Sequence, residues 1–156
     1  MDISANDGNR FVFTKRKGLI KVKSTLFLIP ISDLGEMRNA GDDMIDSFTF
    51  GAMVIDGRRY SSDLIIFPDG RIRDAWWRKR GHVLIKEDIQ TLLDAEPEVI
   101  IAGTGIHGRM KPDPGLGEAL GKIGIQFMAG PNDQAVSWFN DRIAATKAGA
   151  CFHLAC

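Results

Sequence analysis

Three short stretches of this chain hold side chains with the types and spacing for chemistry. The last is Cys151-Phe152-His153-Leu154-Ala155-Cys156, a histidine two residues after one cysteine and three before another. A cysteine beside a histidine is a nucleophile pattern. On an extended strand His153 shares a face with Cys151 and not with Cys156, and neighbours on one face stand about 7 Å apart. That exceeds hydrogen-bond reach unless the chain bends. The expectation is therefore a buried, inert Cys151 thiol and a satisfied, partly buried His153. Cys156 ends the chain, and nothing near it in sequence is obliged to lower its pKa. The two cysteines are roughly 16 Å apart if the chain is extended, against less than about 7 Å for a disulfide. Free thiols in a reducing compartment, the cytoplasm, are expected.

The second stretch, Gly103-Thr104-Gly105-Ile106-His107-Gly108, spells G-x-G-x-x-G after an apolar strand pattern. In a dinucleotide-binding unit the third glycine opens a helix that holds the pyrophosphate. Here Arg109-Met110-Lys111-Pro112-Asp113-Pro114 follows, which does not begin such a helix. The next strand ends in Met128-Ala129-Gly130, without an acid for a ribose hydroxyl. A tight loop using glycine for positive φ is the plainer expectation. A loop whose backbone N–H groups, with Arg109 and Lys111, hold a small anion or carboxylate is the functional one.

The third stretch, Trp76-Trp77-Arg78-Lys79-Arg80-Gly81-His82, mixes aromatic rings with cations. Such a patch can stack on and neutralise nucleic acid, with Arg71 and Arg73 adding to it. It is one short stretch, flanked by Asp74, Glu87 and Asp88, in a chain of twenty basic and twenty acidic residues, so nucleic acid is not expected. On a strand Trp76 and Trp77 face opposite ways, and at most one is core. The other becomes a candidate protein-contact anchor, because Trp and Arg dominate interface hot spots. His82, His107 and His153 have no metal-ligand spacing with each other or with the cysteines, and no metal or cofactor is expected.

The elements that must carry these stretches read as one α/β domain. The length of 156 residues allows a sizeable core, and 44% apolar with 26% charged residues is ordinary for a globular chain. The longest apolar runs, such as 26–31, are too short to cross a bilayer. From Met44 the pattern is β: 47–50 alternates, 52–55 runs to the hairpin signal Asp56-Gly57, and 64–67 closes at Pro68-Asp69-Gly70. A return strand is expected over 71–77, making an antiparallel meander. Then a helix is expected over 86–95, a buried strand over 99–102, a short helix lined by Leu116, Leu120 and Ile123, and a strand over 125–128. A third helix follows, opened by Pro131-Asn132 and capped by Gly149, before the closing strand. This β-α-β-α-β succession implies parallel strands with right-handed crossovers.

Residues 1–43 form an N-terminal extension with two strand patterns, 11–13 and 19–31. A signal peptide is not expected there, because Lys21 and Lys23 interrupt the apolar run and no small-residue cleavage site follows. Gly41-Asp42-Asp43-Met44 can be encoded by a purine-rich ribosome-binding sequence, so translation is expected to start at Met44, making 1–43 non-native and 44–156 the domain.

From about Ser47 to Cys156, roughly 110 of the 156 residues, the chain resembles the Mth938-like domain family. The blocks that carry the resemblance are Phe50-Gly51, Asp56-Gly57 with Arg59-Tyr60, Asp63-Leu64-Ile65-Ile66, Trp77-Arg78 with Gly81-His82, Asp88, Pro97-Glu98, Gly103-Thr104-Gly105 with Gly108, Ala135, Asn140 and His153-Leu154. The family usually ends His-Leu-Thr-Cys, and here Ala155 replaces the threonine. The resemblance implies a single three-layer α/β domain, a central mixed sheet with an antiparallel β portion. It brings no established catalytic residues. Animal relatives include a mitochondrial complex I assembly factor and a protein linked to fat-cell differentiation, both of which act through protein partners.

Two functions follow as expectations. The first is a non-enzymatic protein-interaction or assembly module, with a protein partner or a homo-oligomer contacted through Trp76 or Trp77, Arg78 and His82. The second is a small-molecule or anion site, with or without catalysis, at the mouth of the parallel strands. Its lining would be Gly103, Thr104, Gly105, His107, Gly108 and Arg109, where α/β folds place ligands.

Overall fold

The computed structural model of the chain describes residues 43–155 and, earlier, three strands at 2–6, 10–15 and 18–23. The chain divides into two compact units, Met1–Asp42 and Asp43–Cys156. In the first, β1 (Asp2–Asn6), β2 (Arg10–Lys15) and β3 (Gly18–Lys23) form an antiparallel meander with β2 central. The pattern at 11–13 lies in β2. Of the strand expected over 19–31, β3 accounts for 19–23, and 24–31 lie outside the described residues.

The second unit is built on a five-stranded mixed sheet. Its strands are β7 (Leu64–Ile66), β8 (Ile72–Arg73), β10 (Val99–Gly103), β12 (Gln126–Gly130) and β13 (Ala148–Phe152), in the order β12-β10-β13-β7-β8. β12, β10 and β13 run parallel, and β7 and β8 are antiparallel to their neighbours. A second sheet, β4 (Ile45–Thr49), β5 (Ala52–Ile55) and β6 (Arg58–Tyr60), is an antiparallel meander that turns at Asp56-Gly57. A parallel pair, β9 (Val83–Leu84) with β11 (Lys111–Pro112), completes the strands. The helices are a 3-10 turn (Lys86–Ile89) running into α1 (Gln90–Leu93), then α2 (Leu116–Lys122) and α3 (Asn132–Ile143).

The period of two along the central strands makes the layers. Leu64, Ile66, Val99, Ile101, Ala148, Ala150 and Phe152 face one side, where they pack with Phe139 and Ala135 of α3 and with Ile45, Met53 and Ile55 of the β4–β6 sheet. Ile65, Ile100, Ala102 and Cys151 face the other, against Leu92 of α1 and Leu116 and Leu120 of α2. A sheet buried on both faces reads as a continuous apolar run, as 99–102 does. Each fully buried large side chain contributes roughly 1.5–3 kcal/mol. Asn140 ties the edge of the second sheet to α3: its Oδ1 accepts from Ile45 N–H (3.0 Å), and its Nδ2 donates to the Ile45 carbonyl (2.9 Å). Asn140→Ala is expected to cost about 1–2 kcal/mol in a denaturant melt, since both Ile45 groups lose a partner.

Four local expectations are corrected. The meander does not run on into β7 and β8, which join the central sheet. The return strand shrinks to two residues, because Ala75 adopts φ +53° and the chain leaves the ladder there, with Ala75 N–H bonded to Ser62 Oγ. Ile123 is 56% exposed at the end of α2 and is no part of its buried line. Gly149 is not a cap: α3 ends at Ile143, and Gly149 sits inside β13 against Leu92.

Candidate functional site

The register of the central sheet creates the main polar cluster. β13 pairs antiparallel with β7, with Phe152 opposite Leu64. One rung further on, His153 falls beside Asp63. Asp63 Oδ2 lies 2.8 Å from His153 Nδ1, and Oδ1 accepts from Leu154 N–H at 2.8 Å. Arg78 enters the same cluster, donating from Nη1 to Asp63 Oδ2 (2.7 Å) and from Nε to the Gly81 carbonyl (2.7 Å). Its Nη2 lies 3.1 Å from His153 Nδ1. The Asp63, Arg78 and His153 side chains are 18%, 8% and 7% exposed, so the three groups screen one another rather than water. The ring of His82 meets that of His153 edge-on, with centroids 5.4 Å apart.

Burial pushes the Asp63 carboxyl up, but the hydrogen bonds from Leu154, His153 and Arg78 outweigh it and hold the group below its ordinary 3.8. A carboxyl lowered on folding adds stability that is present above its unfolded value and lost as pH falls through the folded one. The stability of the domain is therefore expected to drop from about pH 4 downward. Unfolding curves taken across that range should show the acid limb flattened in Asp63→Asn. An identical limb in both proteins would clear Asp63 as its cause.

The segment carrying the two tryptophans alternates. Trp76 is buried (6% exposed), with Nε1 donating to the Asp88 carbonyl (2.9 Å) and its ring 4.9 Å from the Arg78 guanidinium. Trp77 is 76% exposed. Asp88 fixes the far side of the segment, accepting from Lys79 N–H (3.0 Å) and Ile85 N–H (3.1 Å). Trp77 thus projects from a stretch pinned on both sides. Of the residues expected to contact a partner, Trp77 and His82 are exposed. Trp76 and Arg78 are buried and position the segment instead.

The 103–108 loop is wired into the protein. Thr104 N–H donates to the Gly130 carbonyl, Gly105 N–H to Asn132 Oδ1 (3.1 Å) and Gly108 N–H to the Gly105 carbonyl. Gly105 and Gly108 have φ +105° and +65°, which glycine adopts without strain. Asn132, fully buried at the start of α3, also donates from Nδ2 to the His153 carbonyl (2.8 Å) and so joins loop to cluster. Past Gly108 the chain runs into β11, not a helix. His107 and Arg109 are exposed, while Gly103, Thr104, Gly105 and Gly108 are buried.

Cys151 is fully buried, and desolvation pushes its thiol up to about 12, so it is no nucleophile at neutral pH. His153 turns to Asp63 rather than to Cys151, and Cys156 lies outside the described residues. Among the described residues no three His, Cys, Asp or Glu side chains form a set able to hold a metal ion, and no helix is long and apolar enough to cross a membrane. Sequence reading missed Asp63 and Asn132 as site residues. Asp63 stood in a block matching the family, the one signal that singled it out.

Residues 45–153 match a family model described as "Protein of unknown function (DUF498/DUF598)". Among solved structures, the conserved hypothetical protein PH1505 from Pyrococcus horikoshii OT3 is similar at 25% identity and a TM-score of 0.64, over 72% of this chain and 98% of that one. MT938 is similar at 28% identity and a TM-score of 0.59, over the same shares. A Mth938-like domain protein from Bordetella pertussis shares the fold at 14% identity and a TM-score of 0.54, over 76% of this chain and 89% of that one.

Proposed function

The chain belongs to the DUF498/DUF598 family of proteins of unknown function and has the Mth938-like fold, and on that premise we propose that it is a non-enzymatic protein-interaction or assembly module anchored by Trp77. The observation that carries this reading is a tryptophan 76% exposed on a segment held rigid by buried neighbours. Exposing so large an apolar ring in water is unfavourable, and covering it with a partner recovers that free energy. Holding it in place beforehand lowers the ordering cost of association. Lys79, two residues further on, is exposed as well, a cation for the rim of the contact. The occupant is a protein partner or a second copy of this chain. A reducing, cytoplasmic location belongs to the same reading and accords with an unbridged Cys151.

Trp77→Ala is expected to weaken association by about 2 kcal/mol or more, roughly thirtyfold, while leaving stability within about 0.5 kcal/mol. Titrating the purified components of the complex measures it. Ile123→Ala, which trims an exposed apolar side chain elsewhere, serves as the control and should bind as the unsubstituted chain does. Equal binding by Trp77→Ala would remove the anchor. A small-anion site at the 103–108 loop has less support, because the N–H groups of Thr104, Gly105 and Gly108 are already bonded internally. It would rest on the side chains of Arg109 and His107.

A further inference from the structure

His153 has one polar atom without a partner. Its Nε2 is buried and unbonded among the described residues, whereas buried polar atoms nearly always find a partner. The ring's tautomer decides what that atom offers. Nδ1 faces Asp63 Oδ2 at 2.8 Å and Arg78 Nη2 at 3.1 Å. An ionised carboxylate only accepts and a guanidinium only donates, so Nδ1 can satisfy one of them. A bare Nδ1 would turn its lone pair onto the carboxylate at 2.8 Å. Asp63 keeps its charge because Leu154 N–H and Arg78 both donate to it. In the neutral ring the proton therefore sits on Nδ1 and is donated to Asp63, which leaves Nε2 as an acceptor with a free lone pair.

The neighbouring ring is that of His82, at 5.4 Å and an interplanar angle of 76°. His82 is exposed. Its carbonyl accepts from Lys111 N–H (2.7 Å), but its ring forms no hydrogen bond or ion pair among the described residues, so the ring can rotate away without breaking one. His153 follows directly on β13, and β13 and its parallel neighbour β10 end together, with Gly103 opposite Phe152. The carboxyl ends of parallel strands are where open α/β sheets take ligands.

We propose that His153 Nε2 is the hydrogen-bond acceptor of a small-molecule site beside the His82 ring, and that its ligand is a flat, protic ring bearing an O–H or N–H. The ligand takes the place of the His82 imidazole, whose ring shows that a planar group fits beside His153, and donates its proton to the free lone pair. Asp63 positions the imidazole from behind. This site does not depend on Trp77 being an interaction anchor, although Arg78 adjoins both.

The test uses the full chain carrying nitrogen-15 in its histidine rings at about pH 8, above the unperturbed histidine range, with phenol as the probe. Long-range proton–nitrogen correlation is expected to show His153 protonated at Nδ1 and bare at Nε2, with the Nε2 resonance moving on addition of phenol. His82→Ala is expected to bind phenol about tenfold more tightly, because the ligand then has no ring to displace. A proton found on Nε2 would overturn the proposal. So would a bare Nε2 unmoved by phenol in both proteins, or phenol bound no more tightly by His82→Ala.

Discussion

Asp63→Ala is expected to destabilise the domain by about 3 kcal/mol, lowering its melting temperature by roughly 10 °C. The cost is not the loss of one favourable pair. With the carboxylate gone, the Arg78 guanidinium, 8% exposed, keeps its charge in a place that water barely reaches, and Leu154 N–H loses its acceptor. Removing one partner of a buried ion pair costs about 3–5 kcal/mol, and the 18% exposure of Asp63 puts this case at the lower end. The double variant Asp63→Ala/Arg78→Met should recover part of the loss, because it removes the stranded charge as well. Denaturant melts of the two single variants and the double variant measure the coupling. A loss under about 1 kcal/mol in Asp63→Ala would show that the cluster does not hold the fold. Arg78 also fixes one side of Trp77, so the same substitution should weaken partner binding without touching the contact surface.

Gly103→Ala is expected to cost about 4 kcal/mol, through contact rather than through backbone conformation. A Cβ on Gly103 would overlap the Phe152 ring and approach Asn132 Oδ1 to 2.6 Å. Phe152 is fully buried and cannot swing out. Overpacking of this kind costs about 1–3 kcal/mol. Displacing the Asn132 amide then strands Gly105 N–H and the His153 carbonyl, for about 1–3 kcal/mol more. Gly149→Ala is the instructive contrast. Its Cβ would meet Leu92 Cδ1 at 2.5 Å, the end of a flexible side chain with another rotamer to adopt. Thermal melts should therefore rank Gly103→Ala well below Gly149→Ala. Equal melting temperatures would mean that the Phe152 ring gives way as readily as leucine does.

These predictions rest on features of uneven legibility. The Asp56-Gly57 hairpin, the buried strand at 99–102 and the alternation of helices with parallel strands were readable, because each is written in a few adjacent residues. The opposition of Trp76 and Trp77 was readable for the same reason. The polar cluster was not. Asp63 and His153 are 90 residues apart and meet only through the register of β7 on β13, a pairing that no local pattern encodes. The G-x-G-x-x-G spelling misleads in another way. Gly105 and Gly108 answer a demand for positive φ, and Gly103 makes room for Phe152, so the three glycines serve the turn and its packing. Gly149 looked like a helix stop because it is the first glycine after α3. Its actual constraint is the approach of Leu92 from another element, far upstream in the chain. Ala75 shows the reverse error: it stands inside the expected return strand, but the Ser62 hydroxyl and the Asp63 carbonyl capture the N–H groups of residues 75 and 76 and pull the chain out of the ladder.

The central claim is that Trp77 is an interaction anchor. Native mass spectrometry of the protein purified gently from its own host tests it most directly, with the unsubstituted chain and Trp77→Ala compared side by side. The account predicts a stoichiometric complex, with a protein partner or a second copy, for the unsubstituted chain and a bare monomer for Trp77→Ala. A monomer in both, or the same complex in both, would contradict it.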